Sequence, residues 1–478
     1  MGITMIKTKI VATLGPASDR GETIKALIDN GTDVFRLNFS HGSLDKHAAL
    51  LETINGIRTQ HRHAIAVMGD LCGPKIRTGG IDPEGQILNS GDELVIQPGL
   101  EMGTATHFGT NYPYLARDVE IGHRVLIDDG QISLKVTDKK KEQIICHVLV
   151  GGPLHSHKGI NLPDSKVSAA SITERDWQCV EWAVEHQLDY LAMSFVRTAE
   201  EIDQLKSYLR KAGSPVKVVS KIEKPEALDN LESIIQASDA VLVARGDLGV
   251  EMDLAQVPLY QKRITQLCRR LGKPVIVATQ MLQSMIDAPV PTRAEVSDVA
   301  NAIIDFTDAV MLSGESAVGK YPIEAVRTIV RIARVTEAFM DESDVPRPKI
   351  ETDNELAVTA SVSRSVAQLI DELDARLVVA WSQNGSTARI LSKARIDVPI
   401  IAFSSDELAC RQMSMNYGVT PICRPIPADI REFADMVDKT IIENNWAKVA
   451  DQIILLPGRP LTRPAPDYAM MIHTIDSD

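Results

Sequence analysis

Val218-Val219-Ser220-Lys221-Ile222-Glu223 and, one unit further along, Val241-Leu242-Val243-Ala244-Arg245-Gly246-Asp247 are short apolar runs that end in charge. A strand alternates its faces, so Lys221 and Glu223 leave the end of the first run on the same side. An ammonium held beside a carboxylate, with Asp247 ending the next run, indicates a divalent-metal site next to a fixed cation. Hard cations such as Mg2+ are bound by one or two carboxylates together with substrate oxygens. A lysine at such a site suits a phosphoryl group or an enolate, where negative charge develops.

Working outward, runs of the same kind occupy positions 10–14, 34–38, 65–70, 190–195, 216–222, 240–244, 274–279 and 309–312, with helix-length spacers between most of them. Continuous apolar strands that alternate with helices imply parallel strands covered on both faces. Eight such units predict an α/β chain built on a (β/α)8, or TIM, barrel. The spacers agree. Thr173-Glu174-Arg175-Asp176 opens a helix with an N-cap threonine and acids in its first turn, and 297–304 carries apolar residues at helical spacing. Polar residues gather at the carboxyl ends of the runs: Thr13, Arg36, Asn38, Asp70, Ser194, Lys221, Glu223, Asp247, Thr279 and Ser313. Barrel active sites lie at that face. Strand ends that meet water account for the Ser and Thr positions, but poorly for the Lys, the Arg and the paired acids.

The pattern changes after the third run. Alternating segments such as Glu93-Leu94-Val95-Ile96 and Gln131-Ile132-Ser133-Leu134-Lys135-Val136 are separated by turn signals, among them Asp128-Asp129-Gly130. This predicts a small β-barrel domain inserted into a barrel loop, placed to act as a lid over the active face. Near the end, runs at 377–381, 400–403, 420–423 and 453–456 alternate with helical segments, after a helix near 323–340 and a Pro-containing linker at 341–353. The expected layout is a barrel domain from 1–72 and 169–345, a lid over 73–168 and a C-terminal α/β domain over 346–478.

With 478 residues the chain is too long for one core, and 44% apolar residues are ample for burial. No apolar run approaches the ~20 residues that span a bilayer. The start lacks a signal-peptide layout, and Ile6 stands where a myristoylation motif following Gly2 needs Ser or Thr. Six cysteines without CxxC pairs argue against a disulfide framework or a zinc site. The expected compartment is therefore the cytoplasm. Sixty-four acids against 51 Lys and Arg give a net charge of −13, which disfavours nucleic acid as a partner. Lys139-Lys140-Lys141, flanked by Asp138 and Glu142, reads as a solvated hairpin tip.

Taken together, Phe35-Arg36-Leu37-Asn38-Phe39-Ser40-His41-Gly42, Ser220-Lys221-Ile222-Glu223, Ala244-Arg245-Gly246-Asp247-Leu248-Gly249, Ala278-Thr279-Gln280-Met281-Leu282 and Pro291-Thr292-Arg293-Ala294-Glu295 form a highly specific set. Gly73-Pro74-Lys75-Ile76-Arg77 and Lys158-Gly159-Ile160-Asn161-Leu162-Pro163 bracket the inserted domain. With these motifs the chain resembles pyruvate kinase over essentially its whole length. The resemblance implies phosphoryl transfer from phosphoenolpyruvate to ADP, giving pyruvate and ATP. It implies that Glu223 and Asp247 hold Mg2+ (or Mn2+), and that Lys221 stabilises charge on the transferring phosphoryl and the enolate. Thr279 and the N–H groups at Gly246 and Asp247 would anchor the substrate carboxylate. Arg36 would fork to the phosphate, Arg77 and Lys158 would steady the nucleotide phosphates, and Asn38 and His41 would contact the nucleotide. A water near Thr279 would protonate the enolate. A homotetramer is implied by the family alone.

Two departures from the family stand out. Asn38, Ser40, Asp70 and the carbonyl of Leu71 correspond to its K+ site, but Lys75 replaces the usual Glu of K+-dependent members and Leu71 replaces their Thr. A lysine there would substitute for the monovalent ion and make K+ dispensable. In the C-terminal domain, Ser382-Gln383-Asn384-Gly385-Ser386-Thr387 resembles the family's effector loop, although Asn384 and Ser386 replace residues usual in fructose-1,6-bisphosphate-activated members. Pro457-Gly458-Arg459-Pro460-Leu461-Thr462-Arg463 also differs from their binding loop, while its two arginines could meet phosphate. A sugar phosphate such as glucose 6-phosphate or ribose 5-phosphate, or else AMP, fits such a loop; so does an ordinary capped helix.

Gly314-Glu315-Ser316-Ala317-Val318-Gly319-Lys320-Tyr321 nearly spells a P-loop, but Tyr321 stands where a small hydroxyl must meet Mg2+, so it is rejected. The pairs His155/His157 and His61/His63 lack a third ligand at sensible spacing and read as solvated loops. Met281 and Met285 read as core packing. Two other classes stay open at this point: a Mg2+-dependent lyase or aldolase barrel acting on 2-oxo acids, and a non-catalytic effector-binding relative. An aldolase would not need Arg77 and Lys158 on a lid, and a non-catalytic relative would be expected to lose Lys221 or an acid.

Overall fold

The structure, a computed structural model, describes residues 6–60, 64–342, 350–351, 354–458 and 469–476. Most of the expected linker, the segment with Arg459 and Arg463, and the pair His61/His63 lie outside these residues.

All eight apolar runs are strands: β1 (Lys9–Thr13), β2 (Val34–Asn38), β3 (Ala66–Asp70), β4 (Tyr190–Met193), β5 (Lys217–Ile222), β6 (Ala240–Ala244), β7 (Val275–Ala278) and β8 (Ala309–Leu312). They close into one barrel in chain order, and every pairing is parallel. Alternation along each strand divides the core in two. One set, including Val11, Val34, Met68, Ala192, Val219, Leu242, Ile276 and Met311, fills the barrel interior. The alternate set, including Ile10, Leu37, Val67, Leu191, Val218, Val243, Val277 and Leu312, packs against the surrounding helices. Burial on both faces is why the strands show no polar alternation in sequence.

The barrel is tight enough to demand glycine within β3. A Cβ on Gly69 would lie 2.6 Å from the Phe39 ring and 3.0 Å from Leu188. Phe39 cannot retreat, because it is buried edge-on to both His47 and Trp182.

Between β3 and β4 lies the lid. Its main sheet has six strands, in the order Ile160–Asn161, Arg124–Ile127, Ile132–Lys140, Gln143–Val150, Glu93–Pro98 and His107–Thr110. Single bridges from Arg77 to Gly159 and from Thr78 to Thr110 join its two edges, so the sheet curls around its own core. Lys140 and Lys141 sit exposed at a hairpin tip, as expected. The chain enters the lid under firm control. Thr173 and Asp176 form the capping box of the helix Glu174–Glu185, and the buried Asp176 Oδ1 also accepts from the N–H groups of Cys72 (2.9 Å) and Gly73 (3.3 Å).

The C-terminal α/β domain has a five-stranded sheet in the order Val419–Cys423, Ile400–Ser404, Val378–Trp381, Gln452–Leu456 and Met471–Thr474. The last strand is antiparallel and absent from the sequence expectation, since its half-exposed Met-Ile-His-Thr edge has no apolar run. This domain docks on the amino-terminal end of the barrel through buried ion pairs. Asp189, just before β4, meets Arg411 of this domain at 2.7 Å and also the barrel's own Arg58 at 2.8 Å. Asp308, just before β8, pairs with the fully buried Lys393 and lies 3.2 Å from Arg395.

Gly69→Ala should overpack this region and destabilise the chain by about 1–3 kcal/mol. A lowered thermal midpoint with an unchanged far-ultraviolet spectrum is the expected observation.

Candidate active site

The polar strand ends converge at the carboxyl rim of the barrel. Lys221, only 12% exposed, places its ammonium 2.8 Å from Glu223 Oε1 and donates to Ser194 Oγ at 2.7 Å. It also lies 3.2 Å from Asp70 Oδ1, an ionic contact outside hydrogen-bond geometry. Arg36 Nε donates to the other oxygen of Asp70 at 2.6 Å, and Nη1 donates to Thr13 Oγ1 at 3.0 Å. Burial works to discharge Lys221, but Asp70, Glu223 and Asp247 outweigh it, so its pKa rises above the ordinary lysine value. Burial likewise works to neutralise Asp70, yet Lys221 and Arg36 hold its pKa below the usual carboxylate range. Both groups therefore carry full charge.

Glu223 differs. Its burial, reinforced by the like charge of Asp247, pushes its pKa up despite Lys221. Its second oxygen accepts from Phe195 N–H at 2.7 Å. A carboxyl raised by an adjacent carboxylate is a group that a divalent cation would relieve. Among the described residues no cluster of three or more His, Cys, Asp or Glu could hold a metal. A pair of carboxylates, completed by water and substrate oxygens, is the donor set typical of Mg2+ or Mn2+.

Across the rim, the Thr279 hydroxyl donates to Ala278 O at 2.6 Å and accepts from Gly246 N–H at 2.7 Å. Thr279 and Gln280 both have left-handed backbone, with φ of 68° and 55°, and so does Phe195 at 54°. Such conformations cost about 1–3 kcal/mol each and persist only where the surroundings impose them. Arg245 does so here: its guanidinium donates to the carbonyls of Ala278 (3.2 Å) and Thr279 (2.7 Å) while paired with Asp298 at 2.7 Å. The sequence motif assigns Arg245 no role, although a cation set directly between an apolar strand and Gly-Asp is a visible signal.

On the lid side, Arg77 Nη1 donates to His157 O at 3.0 Å, and Lys158 pairs with Asp128 at 3.0 Å. His41 and Arg77 line one crevice together with Ser40, Lys75 and Arg175. A second cleft, under the lid, is lined by Lys75, Asn161, Lys224 and Asp247 among others.

Comparisons with known proteins follow this geometry. The family model described as the pyruvate kinase barrel domain matches residues 5–326, and that of the pyruvate kinase alpha/beta domain matches 360–472. The chain belongs to the pyruvate kinase family. A pyruvate kinase of Thermococcus litoralis is 37% identical over 98% of both chains. One from Mycobacterium tuberculosis is 39% identical, again over 98% of both. A solved pyruvate kinase from Cryptosporidium parvum superposes with a TM-score of 0.90 at 32% identity, covering 98% of this chain and 96% of that one. Membership makes the chain an enzyme, a phosphotransferase, and removes the aldolase reading.

Against the family's pattern, the residues assigned to K+ are engaged locally. Leu71 O accepts from Ser194 Oγ at 2.7 Å, and Asn38 Oδ1 accepts from Ser40 N–H at 3.1 Å. Lys75 is exposed, and its side chain makes no hydrogen bond or ion pair with the described residues. The structure does not bring its ammonium to Asp70, whose charge is met by Arg36 and Lys221. The effector-like loop is self-capped. Ser382 Oγ accepts from Ala388 N–H at 3.1 Å, and Asn384 Oδ1 accepts from the N–H (3.1 Å) and hydroxyl (2.7 Å) of Ser386. Gly385 supplies the left-handed turn at φ 79°. Gln383 bonds Ser405 at 2.8 Å, and Thr387 follows in the first turn of the helix.

The P-loop look-alike forms only the one-turn helix Gly314–Ala317. Its Glu315 is turned inward to accept from Leu282 N–H at 3.0 Å and Ser313 N–H at 2.8 Å. Met281 and Met285 are fully buried, though on a loop and a 3-10 turn rather than one helix. His155 pairs with Glu84 at 3.3 Å. Among the described residues no helix is long and apolar enough to cross a membrane.

Asp70→Asn leaves Lys221 and Arg36 facing one another with a partner removed. Breaking a buried pair in this way costs about 3–5 kcal/mol. Urea unfolding should show that loss in the absence of any ligand.

Proposed function

We propose that this chain transfers the phosphoryl group of phosphoenolpyruvate to ADP, giving pyruvate and ATP, with Mg2+ or Mn2+ held by Glu223 and Asp247. The observation that supports it best is the charged Lys221 ammonium, nearly out of water and fixed by Asp70, Glu223 and Ser194. Phosphoryl transfer is catalysed mainly by positioning and charge, and a preorganised cation needs no reorganisation as charge develops. Lys221 remains protonated and acts as a fixed charge rather than a base. It meets the phosphoryl group first and the enolate oxygen left behind next. Arg36, steadied by Asp70 and Thr13, turns its free N–H groups to the phosphate. Gly246 N–H releases Thr279 Oγ1, and the Thr279 hydroxyl releases Ala278 O, to donate to the substrate carboxylate. Glu223 and Asp247 would hold the metal, which would supply positive charge against that of the substrate. His41, Asn38, Arg77 and Lys158 hold the nucleotide between rim and lid; Lys158 must leave Asp128 to do so. A water near Thr279 protonates the enolate.

We take the lid as 73–168, the barrel as 1–72 and 169–345, and the C-terminal domain as 346–478, assembled as a homotetramer in the cytoplasm. Neither nucleic acid nor a membrane is a partner. We also propose that K+ is dispensable. Lys75 in place of Glu adds a positive charge at the mouth of the site, and the oxygens of Leu71 and Asn38 already accept hydrogen bonds. For the C-terminal loop we propose a monophosphorylated sugar, glucose 6-phosphate or ribose 5-phosphate, or AMP, at 382–387, where Ser386 and Thr387 offer hydroxyls at a helix start.

A coupled assay with phosphoenolpyruvate, ADP and Mg2+ tests the reaction. Lys221→Met should lower kcat by about 100-fold to 1000-fold, the scale for removing one fixed donor at a developing charge; normal turnover in that variant refutes the mechanism. Replacing K+ by a tetraalkylammonium salt should leave the wild type active, whereas Lys75→Glu should become K+-dependent. Collapse of wild-type turnover without K+ sinks that assignment. A thermal-shift screen across the two sugar phosphates and AMP tests the effector loop, because a ligand of the folded state raises the midpoint.

A further inference from the structure

Glu251 takes no part in the chemistry above, yet it is nearly fully buried and its Oε1 accepts twice. Asn161 Nδ2, from the lid strand Ile160–Asn161, donates to it at 2.7 Å. Lys224 Nζ, from the barrel, donates to the same oxygen at 2.6 Å. Two routes lead from this oxygen to the proposed metal carboxylates. Glu251 ends the helix Arg245–Glu251, and Asp247 lies one turn earlier on the same face of that helix. Lys224 directly follows Glu223, and its ammonium sits 5.9 Å from the centroid of the Phe195 ring. The backbone N–H of Phe195 is the group that holds Glu223. One buried oxygen thus joins the lid to the helix bearing Asp247 and to the turn bearing Glu223.

We propose that Glu251 is a positioning residue that couples the seating of the lid to the placement of Glu223 and Asp247. A buried carboxylate left short of a donor is costly, so it holds both partners or shifts toward the one that remains. If Asn161 withdraws with the lid, Glu251 and its helix relax toward Lys224, and Asp247 moves with them. Coupling between sites is reciprocal: a divalent cation that orders the two carboxylates must favour the seated lid, and the seated lid must strengthen cation binding. The inference rests on the metal assignment proposed above for Glu223 and Asp247.

The full chain is tested with Mn2+ as the probe, titrated by electron paramagnetic resonance, alongside amide hydrogen exchange with and without Mn2+. Asn161→Ala should weaken Mn2+ binding about fivefold to tenfold, within the usual range of coupling between sites. Without metal it should also raise exchange in both Ile160–Asn161 and Arg245–Glu251. In the wild type, Mn2+ should slow exchange in the lid strand, and Asn161→Ala should abolish that slowing. Lys224→Met combined with Asn161→Ala should be non-additive, since both act through one oxygen. Wild-type Mn2+ affinity in Asn161→Ala, or unchanged metal-free exchange in Arg245–Glu251, overturns the coupling. Failure of the metal assignment has a different signature: Glu223→Gln would then bind Mn2+ as well as the wild type. The metal-free exchange result stands independently of it.

Discussion

A lysine ammonium withdrawn from water must be met by opposite charge, and the barrel rim is arranged around that demand at Lys221. The carboxylates come from different strands: Asp70 ends β3 and Glu223 follows β5, with Ser194 from the end of β4 between them. They meet only because the strands are parallel and in register, with Ala192 opposite Asp70 and Met193 opposite Ser220. A slip of one residue would turn Lys221 to the other face, break its pairing with Glu223 and leave Asp70 to Arg36 alone. Arg36 on β2 extends the same logic, taking the Asp70 oxygen that does not face Lys221. Barrel closure and site electrostatics are thus one constraint.

This explains what could be read from sequence. Parallel strands buried on both faces leave continuous apolar runs, and all eight were visible. A charge at the end of such a run has no packing reason to be there, so Lys221, Glu223, Asp247, Arg36 and Asp70 stood out. The edge strand Met471–Thr474 did not, because half its positions face solvent and no apolar run marks it. Nor did Glu251, Lys224 or Asp176, whose importance lies in partners brought up by tertiary structure from the lid or its entry. Lys75 was legible as a departure from a family pattern, but its exposed ammonium was not, since the path of a long flexible side chain is set by local packing.

Backbone strain follows the same division. Phe195, Thr279 and Gln280 adopt left-handed conformations without being glycine, each just beyond the end of a barrel strand. Two of them are held by charge: the Phe195 N–H by Glu223, and the Thr279 carbonyl by Arg245. The ionic network therefore does more than compensate Lys221. It also imposes a loop geometry that propensity alone would reject.

The two appended domains are fastened by different physics. The C-terminal domain sits against the amino ends of the strands, where its Lys393 and Arg395 meet the buried Asp308 and its Arg411 meets the buried Asp189. Separating those surfaces would strand several buried charges at once, so this junction favours rigid docking. The lid instead meets the rim through separate polar contacts: the Asn161–Glu251 bond, Asp176 on the N–H groups of Cys72 and Gly73 at the entry, and Arg197 on the carbonyls of Val167 and Ala169 at the exit. Hydrogen bonds of this kind contribute about 0.5–3 kcal/mol each, whereas breaking a buried ion pair costs about 3–5 kcal/mol. The firmer junction therefore lies at the amino-terminal end of the barrel, away from the reacting groups at the carboxyl rim.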